Sequence, residues 1–510
     1  IDNNGAARRS YPFKIGQNLL ETSTLSAVGY YFKAQRSTGE YEAADKNIPF
    51  MYGKREGRID AHGGWYDATG DYGVHLSHLS HTTYFNPQQA AFSAYAFFKM
   101  NDLLEEAEYP YYTMLKRRLI EEGMYGADFL MRMRAPSGSF FVTKSRTMDA
   151  YGPVASMRVL GCYFRNPTGR KGGGSWGNVD DITDYDYETS FRAGGGYAIA
   201  ALAYAARVTY PSDYTKEEYL QAAVSSYDYL YAHNELYAND GKWNLVDEYC
   251  ALDALVEIYK TTKEIDYLRR ARAMAKRIID RYIAVNETMG YLRVNDTDRP
   301  FFHAADAGMP VVNLLNYCEI ERQPEEKAAV LAVCEKLMRH ELFVTNEVAN
   351  PFGYARQFVQ HGDGSKTTQF FYPHDVETAP WWQGENARIA SLATAARSLS
   401  HHTQDAALAA ALRKYADDQI NWVLGLNPFD SCMLEGEGRN NIDYFFEGDR
   451  RDFIQCPGGI VNGITSGLHD EHGIAYYSAP PSEVDDNWRW AEQWIPHASW
   501  YMYALCMKKI

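Results

Sequence analysis

Three observations predict an all-α fold, an (α/α)6 barrel built from six helical hairpins. Apolar residues recur at three- and four-residue intervals in about a dozen segments of helix length. Alternating strand patterns are sparse, the best being Ser139-Phe140-Phe141-Val142 and Gly459-Ile460-Val461. Short connections alternate with long glycine-rich ones at 37–74, 136–184, 342–382 and 425–486.

The periodic segments place helices at 15–36, 87–107, 110–134, 185–207, 214–234, 246–262, 264–283, 303–320, 323–341, 383–400, 404–424 and 487–508. Asn86-Pro87 and Pro110 open two of them, while Gly123 and Gly425 mark bends or ends. So many helices without a strand–helix repeat suit neither a doubly wound sheet nor a β/α barrel. An open solenoid would show a repeated sequence period, and there is none. A closed ring of hairpins remains, with the long loops gathered at one end as a cleft. No Pro-, Gly- and Ser-rich linker divides residues 1–510, so one catalytic domain is expected.

Composition narrows the partners. Hydrophobic residues are 46% and charged residues 23%, as in globular domains generally. Aromatics reach 14%, with 40 Tyr and 10 Trp, enough to fill a core and also line a carbohydrate cleft. A net charge of -15 argues against nucleic acid or an anionic membrane surface as partner. No apolar run reaches membrane-span length and no signal-peptide pattern opens the chain. The first residue is Ile, so a fragment or processed product is expected. The seven cysteines are scattered and never spaced as CxxC, and Cys250, Cys318, Cys334 and Cys506 fall in apolar helical patterns. Free buried thiols are expected, which slightly favours a reducing, cytoplasmic setting.

The chemistry concentrates in two segments. Gly63-Gly64-Trp65-Tyr66-Asp67-Ala68-Thr69-Gly70-Asp71-Tyr72-Gly73 sets two carboxylates four residues apart among glycines and aromatics. Such a pair either caps backbone amides in a turn or holds a water for general-base attack. Trp65, Tyr66 and Tyr72 offer flat faces of the kind sugar rings stack on. Near the C-terminus Glu492 stands among Trp488, Trp490 and Trp494. Aromatic surroundings raise a carboxyl pKa by desolvation, as a general acid needs, although a Glu in a first helical turn is also favoured by the helix dipole. His75, His78 and His81 have helix-like spacing spread over about 120°. No neighbouring carboxylate completes a tight set, so no metal site is expected. Gly194-Gly195-Gly196 lacks the strand and spacing of a phosphate loop, and no nucleophile elbow is present.

Both segments resemble glycoside hydrolase family 9, whose Asp-Ala-Gly-Asp motif appears here as GGWYDATGDYG and whose late acid appears in AEQWIPHASWYMYAL. Lesser landmarks follow in family order: YYFKAQRSTG, GADFLMRMRAPSGSF, DEYCALDALVEIYKTTKEIDYL, NWVLGLNPFDSCMLEGEG and PGGIVNGI. The resemblance covers about residues 15 to 508 and implies an (α/α)6 barrel. It implies Asp71 as catalytic base, Asp67 as a holder of the nucleophilic water and Glu492 as general acid. The reaction implied is hydrolysis of β-1,4-glycosidic bonds with inversion, for which the carboxyl groups stand about 6.5–9.5 Å apart. Trp65, Tyr66 and Trp490 are candidates for subsite walls. The family also leaves room for an upstream β-sandwich domain and a structural calcium ion; no cofactor is implied.

Departures from the family pattern bear on substrate. Thr69 lengthens the Asp motif, the family's PHHR segment is replaced by Arg439-Asn440-Asn441, and Pro496-His497 follow the acid. A lengthened motif followed by a stretch like His75–Gln89 resembles the family's exo-β-D-glucosaminidase branch, which acts on chitosan oligosaccharides. His78 is then a sugar-binding candidate, and Asp375, Glu377 and Glu385 beside Trp381 and Trp382 would suit a glucosaminyl ammonium. Alternatives are an endoglucanase or cellodextrinase on β-1,4-glucan, and a carbohydrate-binding barrel without catalysis. The oligomeric state is not legible.

Overall fold

The computed structural model describes residues 14–16, 18–78, 83–106, 112–146, 157–164, 178–376, 382–443, 455–468, 473–477 and 487–507. Among them the helices are α1 (Leu19–Gln35), α2 (Gly39–Asp45), α3 (Ala90–Glu106), α4 (Thr113–Arg132), α5 (Gly196–Ala205), α6 (Lys216–Tyr237) and α7 (Leu245–Thr262). They continue with α8 (Ile265–Ile279), α9 (Met309–Ile320), α10 (Pro324–Asn346), α11 (Asn386–His402), α12 (Ala406–Val423), α13 (Trp488–Ala491) and α14 (Ile495–Met507). None is long and apolar enough to cross a membrane.

Sequence decides which helices go inside. In α5, GYAIAALAYA is buried at every position, and α14 is likewise buried throughout. A helix that is apolar on all sides must be enclosed. The outer helices are two-faced: α8 buries Leu268, Ala271, Ala275 and Ile278 while Asp266, Arg269 and Lys276 stay on the other side. Their ends carry ordinary stops, such as the reciprocal capping boxes Thr215–Glu218 and Asn244–Asp247.

The inner helices pack in the order α3, α5, α7, α9, α11, α14, and α14 returns to α3. Each has an outer partner: α4, α6, α8, α10, α12 and, for α14, α1. The ring of six hairpins is thus closed by pairing the last helix with the first. The expected barrel is present, but the segment expected as one helix at 487–508 is broken at 492–494 into α13 and α14, and the helix expected from 303 begins at Met309. Three local differences have physical reasons. A short helix, α2, lies inside a stretch expected to be irregular. The helix expected from 185 begins only at Gly196, behind a wide turn at Phe191–Gly195. Residues 139–142 form no strand, because their backbone groups bond to several segments, with Phe141 N on Met133 O and Val142 N on Tyr187 O. The strand starts one residue later, at Thr143–Arg146, between Val74–His75 and Arg158–Gly161. All seven cysteines are unpaired thiols, and Cys250, Cys318, Cys334 and Cys506 are buried.

Toward the C-terminal ends of the inner helices the barrel is plugged by a polar network. Glu257 pairs with Arg207 at 2.5 Å and Lys260 at 3.8 Å, Lys260 reaches Glu319 at 2.5 Å, and buried Lys99 lies 3.5 Å from Glu319. Asn316 donates to Asp253 at 3.1 Å. Burial works against the charge on Glu257, but Arg207, Lys260 and Lys99 hold it down at about 2. Burial lifts Asp253 to about 7 against the pull of Asn316 and Lys99. One cation fewer leaves an acid uncompensated in the interior. Lys99→Met should therefore cost about 3–5 kcal/mol, measured as a fall in the midpoint of urea unfolding. An unchanged midpoint would show that the network does not depend on Lys99.

Candidate active site

The loop after α2 delivers the two aspartates. Asp71 N donates to Ala68 O at 3.2 Å, closing a turn in which Gly70 takes φ +85. Only glycine accepts that backbone without strain, so Gly70 is what allows the extra residue between the aspartates. Asp67 is 2% exposed, whereas Asp71 faces solvent and accepts a hydrogen bond from Gly73 N at 2.8 Å.

The acid segment lies directly beside this loop. Thr69 N donates to Gln493 O at 3.0 Å and Ile495 N donates to Asp67 O at 2.9 Å, around an antiparallel bridge between Ala68 and Trp494. On its other side the segment pairs with 460–462, where Asn462 N donates to Glu492 O at 2.7 Å. Gln493 ties the two flanks together: its Oε1 accepts from Thr69 Oγ1 at 2.7 Å and from Cys456 N at 2.9 Å. Glu492 is half-buried with extended backbone at the C-terminal end of α13, three residues ahead of α14. It is therefore not a first-turn glutamate held by a helix dipole.

Burial first, then the Asp71 charge, raises Glu492 to about 8. The opposing influence is Asn462, whose Nδ2 donates to Glu492 Oε2 at 3.3 Å. Asn462 is itself fixed, because its Oδ1 lies 2.7 Å from His497 Nε2 and its Nδ2 donates to Trp488 O at 2.6 Å. Asp67 is pushed well above the carboxylate range by burial, then by Asp71 and Glu492. The site thus sets a carboxyl raised to about 8, Glu492, beside a buried aspartate and a solvent-facing one on the neighbouring loop.

The model of the family described as glycosyl hydrolase family 9 matches residues 22–447, most of the sequence. The chain belongs to glycosyl hydrolase family 9. It is accordingly a glycoside hydrolase with a carbohydrate substrate. No curated protein matches it. Solved structures share the fold. A metagenome-derived family 9 endoglucanase superposes with TM-score 0.61 at 16% identity over 96% of this chain and 80% of that one. The family 9 endoglucanase J30 gives 0.61 at 19% identity over 98% and 87%. Endoglucanase CelQ from Clostridium thermocellum, complexed with cellotriose, gives 0.56 at 16% identity over 95% and 69%.

The structure places the other family 9 site candidates unevenly. Trp65 is fully buried, its Nε1 donating to Glu122 Oε2 at 3.0 Å, so it packs the core and offers no sugar platform. Trp490 is also fully buried, against Trp382 and Tyr477. Trp382 is covered by His374, with centroids 3.7 Å apart, and by the Arg489 guanidinium. These tryptophans support the acid segment from beneath. Tyr66 is half-buried between Tyr41 and Tyr72. Glu385 is buried and bonded to the Arg388 guanidinium, Tyr372 N and Gln357 Nε2, so no oxygen is offered to a substrate amine. Asp375 lines a separate shallow depression with His361 and Asp363. Arg439 pairs with Asp430 at 2.5 Å at a loop turn. Glu377, Trp381 and His81 lie outside the described residues.

His75 and His78 differ most from expectation. His75 sits in a strand, so the angular spread expected from helical spacing does not apply to it. Its ring stacks on His78 with centroids 4.5 Å apart, and both face Asp67. A carboxylate does complete this set. Burial drives both imidazoles down to about 3, so they are neutral. Asn462, Gln493 and His497 carried no motif signal; only their closeness to Glu492 in sequence or in PGGIVNGI hinted at them.

Since the folded pKa of Glu492 exceeds its unfolded value, its contribution to stability is complete below pH 4.5 and is lost as pH rises through 8. Infrared difference titration should show a carboxyl band losing intensity near pH 8 in the wild type and absent in Glu492→Gln. Asn462→Ala removes the group that lowers this pKa, so the midpoint should move upward. A downward move would contradict the role given to Asn462.

Proposed function

We propose that this family 9 hydrolase cleaves β-1,4-glycosidic bonds of glucan chains by single displacement with inversion. The observation that carries the reading is Glu492, held protonated at neutral pH on a segment hydrogen-bonded directly to the Asp67–Asp71 loop. In the reaction Asp71 accepts a proton from a water that Asp67 orients. The water oxygen bonds to the anomeric carbon as the bond to the leaving oxygen breaks on the opposite face. Glu492 protonates that oxygen, and exchange with solvent resets both groups. Environments that push carboxyl pKa values apart are what allow an acid and a base to act together at one pH.

Two features support glucan over glucosaminide. Glu385, one of the acids that would recognise an ammonium, is consumed by Arg388, and Asp375 lies in another depression. CelQ, which shares the fold, was solved with cellotriose and with cellotetraose. Cello-oligosaccharides should be hydrolysed faster than chitosan oligosaccharides, with the α-anomer appearing first by proton NMR. Asp71→Asn and Glu492→Gln should each lower kcat by about 10²–10⁴-fold with little change in thermal midpoint. A β-anomer as first product would refute inversion. Faster turnover of chitosan oligosaccharides would move the substrate to glucosaminides, and near-wild-type rates in both variants would remove the assigned acid and base.

A further inference from the structure

Beneath the exposed Asp71, the buried Asp67 carboxylate faces two imidazoles. His75 Nε2 and His78 Nδ1 each lie 3.6 Å from Asp67 Oδ2. That is too long for a hydrogen bond. Asp67 Oδ1 is buried and receives no hydrogen bond among the described residues. The three ligand atoms lie within 4.8 Å of one another.

The rear of His75 is fixed. Its Nδ1 lies 2.6 Å from Thr143 Oγ1 and 2.9 Å from Tyr163 OH, which turns Nε2 toward Asp67. Support of this kind behind a ring orients ligating histidines in metal sites. Room is also kept in front, since a side chain at Gly73 would begin 2.5 Å from His75 Nε2. A tetrahedral zinc ion with bonds of about 2.0–2.1 Å holds its ligand atoms about 3.4 Å apart. The two 3.6 Å separations are close to that edge.

We propose that Asp67, His75 and His78 form a binding site for a divalent transition-metal ion of the Zn2+ class, and that its occupancy inhibits hydrolysis. Two imidazoles and one carboxylate suit zinc, copper or nickel better than calcium or magnesium, which prefer oxygen donors. Inhibition follows because the ion takes the carboxylate that otherwise orients the attacking water. This consequence rests on the function proposed for Asp67, whereas the binding site rests on geometry alone.

The full chain, stripped with EDTA and dialysed, is titrated with ZnCl2 by calorimetry. One equivalent should bind, and affinity should fall at least tenfold in His78→Ala and in Asp67→Asn. CaCl2 and MgCl2 should give no such binding. Co2+ should show the intense visible bands of a four-coordinate site in the wild type, weakened in His75→Gln. This readout needs no turnover, and it stands if one of the other variants fails to fold. Wild-type hydrolysis of cellotetraose should drop at least tenfold at saturating ZnCl2 and return with EDTA. Absence of binding up to 1 mM ZnCl2, or binding unaltered in all three variants, would overturn the site. Binding that depends on these residues without loss of hydrolysis would keep the site and overturn the inhibitory role and Asp67's hold on the water. Loss of turnover in Asp67→Asn without any zinc binding would keep Asp67 on the water and reject the site.

Discussion

The antiparallel pairing of residues 67–69 with 493–495 is the contact on which the site depends. It joins the first long loop to the segment entering the last helix, through Thr69 N on Gln493 O and Ile495 N on Asp67 O. The Asp67–Asp71 loop and the Glu492 segment are thus held by backbone hydrogen bonds and not by side chains alone. Backbone groups cannot change rotamer, so the main chains that carry Asp67 and Glu492 are held in a fixed register. The outer neighbour at 460–462 fixes the other side, and Asn462 uses both backbone and side chain to place Glu492.

The barrel makes this pairing available. Because each inner helix returns through an outer one, all six inner helices run the same way, with their N-terminal ends at the cleft. Long loops precede α3, α5, α9, α11 and α14, and these bring the functional residues to one end. A web of buried bonds knits the loops before they enter the helices: Gln88 N donates to Asp306 Oδ2, Trp500 Nε1 donates to Asp306 Oδ1, and Gln88 Nε2 donates to Arg192 O. The opposite end carries the charged plug around Glu257 and Lys99. Rigidity is therefore supplied at both ends, by hydrogen bonds above and ion pairs below.

Much of this was legible in sequence because helical burial leaves a periodic trace. Inner helices such as α5 and outer ones such as α8 differ in pattern, and their number and order gave the ring. The aspartate pair and Glu492 were legible because glycine, aromatic and acidic residues cluster around them. What failed was anything depending on which face a loop side chain turns to. Trp65 and Trp490 stand beside the candidate acids in sequence, yet both point inward, and sequence spacing carries no period from which to tell. Glu385 looked like a subsite acid because nothing in sequence marks Arg388, one helical turn on, as its partner. The closeness of His75 and His78 to Asp67 was missed because it was judged from helical spacing, when a two-residue strand pairing with Thr143 and Lys144 decides the direction of His75.

Thr69 bears on the site through the path of the chain and not through charge. Its hydroxyl is satisfied internally, donating to Gln493 and accepting from Gln35 Nε2 at 3.3 Å, so it offers little to a substrate. Its effect is on the path of the chain. With Gly70 it carries Asp71 out to solvent while Asp67 stays buried beneath. Two aspartates that began as equivalent side chains are thereby divided. Burial first, and then Asp71, raises both its buried neighbour and Glu492. The buried one is left facing His75 and His78, each 3.6 Å from its Oδ2.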